Sequence, residues 1–152
     1  METILIPSVY VKPNMDGDFK WMITQSQYDD ALFIYNENVE TYGKWNAPSG
    51  TGNACVRKYN QYRDISRPRS VGIVTGIRSK KGGFNQLTPE IKAIIDKCFE
   101  DIKIVIQKHK YTKIIYSAEQ DSDILGVSIF TVGYDVRQYI TDQIKALKYL
   151  KI

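Results

Sequence analysis

The chain reads as a small α/β domain with parallel strand pairing, and three observations predict it. The apolar run Ala31 to Tyr35 breaks off at Asn36-Glu37-Asn38, the pattern of a buried strand that delivers polar groups at its tip. An apolar stripe at helical spacing (Ile91, Ile94, Ile95, Cys98, Ile102, Val105, Ile106) separates two further apolar runs, Val71 to Thr75 and Thr112 to Ala118. A long helix between two such runs implies a right-handed β-α-β crossover and a parallel sheet. At 152 residues the chain suits one domain around one core.

Each element follows from local signals. Ile4 to Val11 alternates weakly, as an edge strand that tolerates Pro7. Asn14-Met-Asp-Gly-Asp is a turn signal, so Phe19 to Thr24 is expected to pair back, making residues 1–29 an edge hairpin. From Glu40 to Gly52 the signals are turn-like, and a loop of that length in a small domain is usually functional or disordered. Asn53 is the expected N-cap of a short helix with Cys55, Tyr59 and Tyr62 on one face. Ser66-Arg-Pro-Arg-Ser breaks the chain before the Val71 strand, and Arg78 to Gly83 is a basic loop. Thr88-Pro89-Glu90 is the clearest helix start: an N-cap threonine, then proline at the first helical position, then an acid. Lys108-His109-Lys110 suits the negative end of that helix. After the Thr112 strand come a polar loop, Glu119 to Asp123, and the small-residue segment Leu125 to Gly133. A last helix is expected from about Asp135 to Leu150, with Val136, Ile140, Ile144 and Leu147 inward.

Composition narrows the function classes. With 43% hydrophobic and 25% charged residues the chain is an ordinary soluble protein, expected in the cytoplasm. No apolar run reaches the roughly 18 residues of a membrane span. The first residues lack the basic region and cleavage site of a signal peptide. Cys55 and Cys98 read as free thiols. Between Thr41 and Pro89 nine cations face one acid, Asp64, a net +8; the whole chain is +4, so the remainder carries −4. A basic middle in an acidic frame points to an anionic partner, although a solvated loop face explains the charge alone equally well.

In open α/β sheets ligands collect beyond the carboxyl ends of the strands. The ends in question are Asn36 to Asn38, Thr75-Gly76 and Glu119 to Asp123, flanked by the bends Gly50 to Asn53 and Gly126 to Gly133. They converge only if the strands are parallel. A glycine bend leading into a helix start is suited to phosphate, because amide N–H groups and helix dipole point the same way; an ordinary loop is the plain alternative. The bend is not a dinucleotide fingerprint, since Cys55 stands where the third glycine would be, and no P-loop motif is present. One histidine and two scattered cysteines make no zinc set, and neither metal nor cofactor is expected. His109 suits helix capping better than catalysis. Any chemistry would fall to backbone amides or to carboxylates, with Glu37, Asp64, Glu119, Asp121 or Asp123 orienting a water. Cys55 is either a nucleophile activated by a helix start or, more in keeping with its type, a small core residue. Trp45, Tyr59 and Tyr62, set among cations, can stack on a base or pack on the domain.

The segments Leu32-Phe-Ile-Tyr-Asn-Glu-Asn38, Gly50-Thr-Gly-Asn-Ala-Cys-Val-Arg57 and Gly72-Ile-Val-Thr75, with the final strand-loop-helix, resemble a family of small, mostly phage and bacterial proteins of unassigned function. That family is similar, more distantly, to macro domains, which bind ADP-ribose. The resemblance spans roughly Ala31 to Leu147 and implies a macro-like three-layer sandwich with a mixed, largely parallel sheet flanked by helices. It implies a nucleotide of the ADP-ribose type as partner. Asn38 ends the ligand-facing strand, beside Asn36 and Thr75. On that resemblance Gly50, Gly52, Asn53 and Ala54 match the first phosphate loop, with Thr51 within it and Arg57 after it as further expected ligand residues. Gly126, Val127, Ser128, Ile129 and Phe130 stand where the second loop falls. If the chain is an enzyme it hydrolyses ADP-ribosyl groups or nucleotides, with Asn38, Asp121 and Asp123 as catalytic candidates. The alternatives are a non-enzymatic phage-type protein that sequesters a nucleotide signal in the host cytoplasm, and nucleic-acid binding through the basic segment 41–89.

Overall fold

The computed structural model describes residues 3–48, 52–77, 82–126 and 132–150. Strand β1 (Ile4–Ser8) leads to a short helix, α1 (Phe19–Met22), and then to β2 (Ala31–Asn38). A seven-residue 3-10 helix (Asn53–Tyr59) joins β2 to β3 (Ser70–Ile77). Strand β4 (Gly82–Gly83), helix α2 (Pro89–His109), strand β5 (Lys113–Ser117) and helix α3 (Tyr134–Leu147) complete the chain.

The sheet order is β1-β5-β2-β3-β4. The first four strands in that order are mutually parallel, and only the two-residue β4 runs antiparallel. The crossover through α2 therefore lands β5 parallel to β3, as the helix between apolar runs predicts. It does not pair the two: β5 inserts between β1 and β2. Nothing in the β3 or β5 sequences encodes that choice of neighbour.

Side-chain alternation divides the sheet into two packed faces. Leu32, Ile34, Ile114 and Tyr116 face α2 and α3 in the larger core, while Phe33, Tyr35 and Ile115 face α1 and the 3-10 helix in the smaller one. The result is three layers. Helix α2 starts where expected, with the Thr88 hydroxyl accepting from Ile91 N (3.2 Å) and Pro89 at the first turn. Helix α3 buries Val136, Ile140, Ile144 and Leu147, the inward set expected from their spacing.

Two expectations need correction. The N-terminal hairpin does not form: Phe19–Met22 is helical, because Asp18 accepts from Lys20 N (3.2 Å) as an N-cap and Phe19 and Met22, three apart, both turn into the smaller core. Only the edge position of β1 survives from that expectation. The second correction concerns Asn53, which is not a cap. The cap position belongs to Gly52, and the Asn53 side chain reaches away from its own helix.

Candidate functional site at the carboxyl edge of the sheet

Because β1, β5, β2 and β3 are parallel, their carboxyl ends open along one edge. Strands β2 and β3, of eight residues each, are the longest there. The pairing of β2 with β5 stops at Ile34 opposite Tyr116, so Tyr35 to Asn38 run on past the shorter neighbour. Where β2 runs alongside β3 the register slips between Glu37 and Asn38, leaving Thr75 as an extra residue in β3. Thr75 is buried, and its carbonyl accepts from Phe84 N (2.8 Å).

The described flanks of both predicted bends meet at the end of β5. Asn53 Nδ2 donates to Ser117 Oγ (3.1 Å) and to the Gly17 carbonyl (3.3 Å), and its Oδ1 accepts from Phe19 N (3.0 Å). Gly126 N donates to the Ser117 carbonyl (2.9 Å), and the Gly126 carbonyl accepts from Asn36 Nδ2 (3.0 Å). Ser117 thus stands between the two bends, bonded by Asn53 from the 3-10 helix and by Gly126, whose carbonyl in turn is held by Asn36 of β2. Gly50 and Thr51 of the first bend, and Val127, Ser128, Ile129 and Phe130 of the second, lie outside the described residues. Gly52 is extended and open: a Cβ built on it meets nothing within 4 Å. Ala54 packs against the smaller core.

Arg57 is engaged inside the fold. Its Nε donates to Glu37 Oε2 (2.7 Å) and Nη2 to Glu37 Oε1 (2.6 Å). Nη1 donates to the Ala47 carbonyl (3.1 Å) and the Pro48 carbonyl (2.9 Å), and Nη2 also reaches Thr41 Oγ1 (3.4 Å). Those five contacts match the five N–H donors of a guanidinium, so the side chain has none left for a ligand phosphate. That is the physical reason to move Arg57 out of the ligand set. Both residues are buried, Glu37 at 2% and Arg57 at 3% exposure. Burial alone would lower the Arg57 pKa, but the Glu37 carboxylate beside it raises it on balance.

The catalytic candidates lie on two segments, Asn38 at the end of β2 and Asp121 and Asp123 in the loop after β5. Asp123 is exposed and pairs with Lys145 (2.7 Å), which holds its carboxyl below the usual range. Asp121 is an exposed residue of the loop with φ of 59°. Asn38 is half-buried, and its carbonyl accepts from Tyr42 N (3.0 Å). Cys55 is half-buried, and burial pushes its thiol up, the behaviour of a packing residue rather than a thiolate nucleophile. Among the described residues no three His, Cys, Asp or Glu side chains are grouped to hold a metal ion. No helix among them is long and apolar enough to cross a membrane.

Among the described residues, the arginines of the basic middle are engaged by the fold. Arg63 donates to the Lys58 carbonyl (3.0 Å) and lies over the Trp45 ring at 5.1 Å. Arg67 pairs with Asp30, donates to the Lys110 carbonyl (2.7 Å) and stacks on Tyr111 at 4.5 Å. Arg69 donates to the Tyr28 carbonyl (2.7 Å). Arg78, Lys80 and Lys81 lie outside the described residues.

A separate hollow of about 820 Å³ runs along the outer flank of α2, between Lys97, Asp101 and Ile104 on the helix and residues 62–66 with Pro68 opposite. In it Asp101 accepts from the Tyr42 hydroxyl (2.5 Å) and pairs with Lys97 (3.0 Å). His109 sits at its end, its pKa lowered by burial and the cation of Lys108. Sequence reasoning passed over this hollow and over Ser117. The Lys97–Asp101 spacing of four was visible on the helix, but the opposing wall comes from a breaker segment with no periodicity. Ser117, the polar end of an apolar strand, carried the same signal as Asn36.

No family model, curated protein or solved structure matches the chain. The site therefore rests on geometry alone: two bends whose flanks share Ser117, at the edge where a parallel sheet collects ligands.

Proposed function

We propose that the chain binds a phosphate-bearing nucleotide of the ADP-ribose type at the carboxyl edge of its sheet. One observation carries the reading. Asn53 and Gly126, which flank the two small-residue bends, both hydrogen-bond to Ser117, so the bends depart from one place beside the projecting tip of β2. Phosphate there would be met by backbone amides and by the Asn36 and Asn38 side chains of that tip. The reading is of binding without turnover, because the Asp123 carboxylate is already paired with Lys145. It would operate in the cytoplasm, the host's if the chain is phage-encoded.

Titration calorimetry with ADP-ribose is the test. Saturable heat is expected, weakened by at least about tenfold in Gly52→Glu, since a carboxylate beside a phosphate site repels it at a position where the fold has room. Ligand recovered after denaturation should be chemically unchanged. No heat with ADP-ribose or simpler nucleotides would defeat the proposal. RNA binding that falls steeply with salt and ignores Gly52→Glu would move the function to the basic segment.

A further inference from the structure

Glu37 and Arg57 hold more than each other. The Arg57 backbone belongs to the 3-10 helix that follows the first bend, while its guanidinium grips the carbonyls of Ala47 and Pro48, which precede that bend. Glu37, at the tip of β2, accepts the other side of the guanidinium, the Thr41 hydroxyl and Asn38 N (2.8 Å). Asn60 adds a second tie on the same loop, donating to the Lys44 carbonyl (2.7 Å) and the Tyr35 hydroxyl (3.1 Å). Four points of the loop after β2 (Thr41, Lys44, Ala47 and Pro48) are thus bound to three buried side chains, Glu37, Arg57 and Asn60. Gly72 completes the nest, because a Cβ there would meet Glu37 Cβ and the Tyr35 ring at 3.1 Å.

We propose that Glu37 and Arg57 are a positioning pair. They fix Ala47–Pro48 against the start of the 3-10 helix, set the spacing of the two flanks of the first bend, and so govern ligand affinity at the edge beside Ser117. The pair touches no ligand itself. The local part of this claim stands on geometry alone, while the affinity part rests on the nucleotide reading.

The test compares Arg57→Lys, Glu37→Gln and the milder Thr41→Val with a core variant, Ile102→Ala, in the full chain. Lysine keeps the charge but cannot make the paired contact to Glu37 and reach both carbonyls together. Amide hydrogen exchange is read at Tyr42 and Lys44, whose N–H groups bond to the Asn38 and Thr41 carbonyls, and at Ile34 and Ile115 in the core strands. In Arg57→Lys the loop amides should exchange about tenfold faster or more, while the core amides stay within about twofold. Glu37→Gln should act in the same direction, and Thr41→Val less. ADP-ribose affinity should fall about tenfold in Arg57→Lys and stay unchanged in Ile102→Ala. Equal acceleration in loop and core would make the pair an ordinary core stabiliser and overturn the proposal. So would faster loop exchange with unaltered affinity. If the unmodified chain binds no ADP-ribose, the nucleotide reading fails, and the exchange data alone decide whether the pair fixes the loop.

Discussion

Two glycines at the carboxyl edge show how differently one residue type can be used. Gly126 is a packing glycine: a Cβ there would stand 2.7 Å from the backbone carbon and oxygen of Ala118, which cannot withdraw without breaking the turn that closes β5. Gly52 is extended, a conformation any residue adopts, with open space around it. Gly126→Ala should therefore cost about 1–3 kcal/mol, as overpacking does, and Gly52→Ala should stay within about 0.5 kcal/mol. Urea denaturation of the two variants checks this, and a costly Gly52→Ala would show that the open space is occupied. The sequence presents both glycines in the same way, inside bends that follow a strand signal. Which one the fold needs depends on a backbone approaching from a distant strand, and that is not written locally. The same holds for Arg57, where charge alone pointed to an anionic ligand. Its partner, Glu37, is twenty residues away, and only the alternation that turns Glu37 to the Tyr35 face brings the two together.

At the scale of elements, local chemistry and outcome agree best where the pattern is long. Helix α2 has 21 residues, a threonine cap, a proline start and a stripe that returns every three or four positions, so the expected helix forms within its expected bounds. Residues 19–22 offer a single turn, and there one cap and two apolar residues outweighed the hairpin signal of the preceding turn. Strand order was legible only in part. Parallel pairing follows from the crossover, whereas the insertion of β5 between β1 and β2 depends on the whole set of contacts. The stripe on α2 makes a direct prediction. Ile102 is fully buried and Ile104, two residues on, is 61% exposed on the outer flank. Ile102→Ala should destabilise the domain by about 2–5 kcal/mol, from lost burial and the cavity left behind. Ile104→Ala should change stability by no more than about 0.5 kcal/mol. Equal losses in thermal or urea denaturation would mean that the outer flank of α2 is covered in solution.

For the molecule as a whole, the buried acids set how stability responds to pH. Burial raises the Cys98 thiol from 9.0 to about 11, and the Tyr111 and Tyr116 phenols from 10.0 to about 12. Tyr42 is raised further, by burial and by its bond to Asp101. Each of these groups is neutral in the folded chain over a range where the unfolded chain has already ionised. Above pH 9 the unfolded state therefore binds fewer protons than the folded state, and stability must fall as pH rises. For Cys98, Tyr111 and Tyr116 the contribution is complete below pH 9, declines from 9 for the thiol and from 10 for the phenols, and is exhausted above about 12, while that of Tyr42 goes on declining beyond. Each fully engaged group adds a slope of about 1.4 kcal/mol per pH unit. Urea midpoints should accordingly be flat between about pH 7 and 9 and drop steeply between about 10 and 12. Tyr111→Phe deletes one such group. It should lower stability at neutral pH by about 1 kcal/mol, through the lost bond to the Pro68 carbonyl, and its alkaline slope should be shallower by one proton. A profile that stays level to pH 11 would mean that the phenols ionise in the folded chain as readily as in water, so that the core drawn around Tyr111 and Tyr116 is open to solvent.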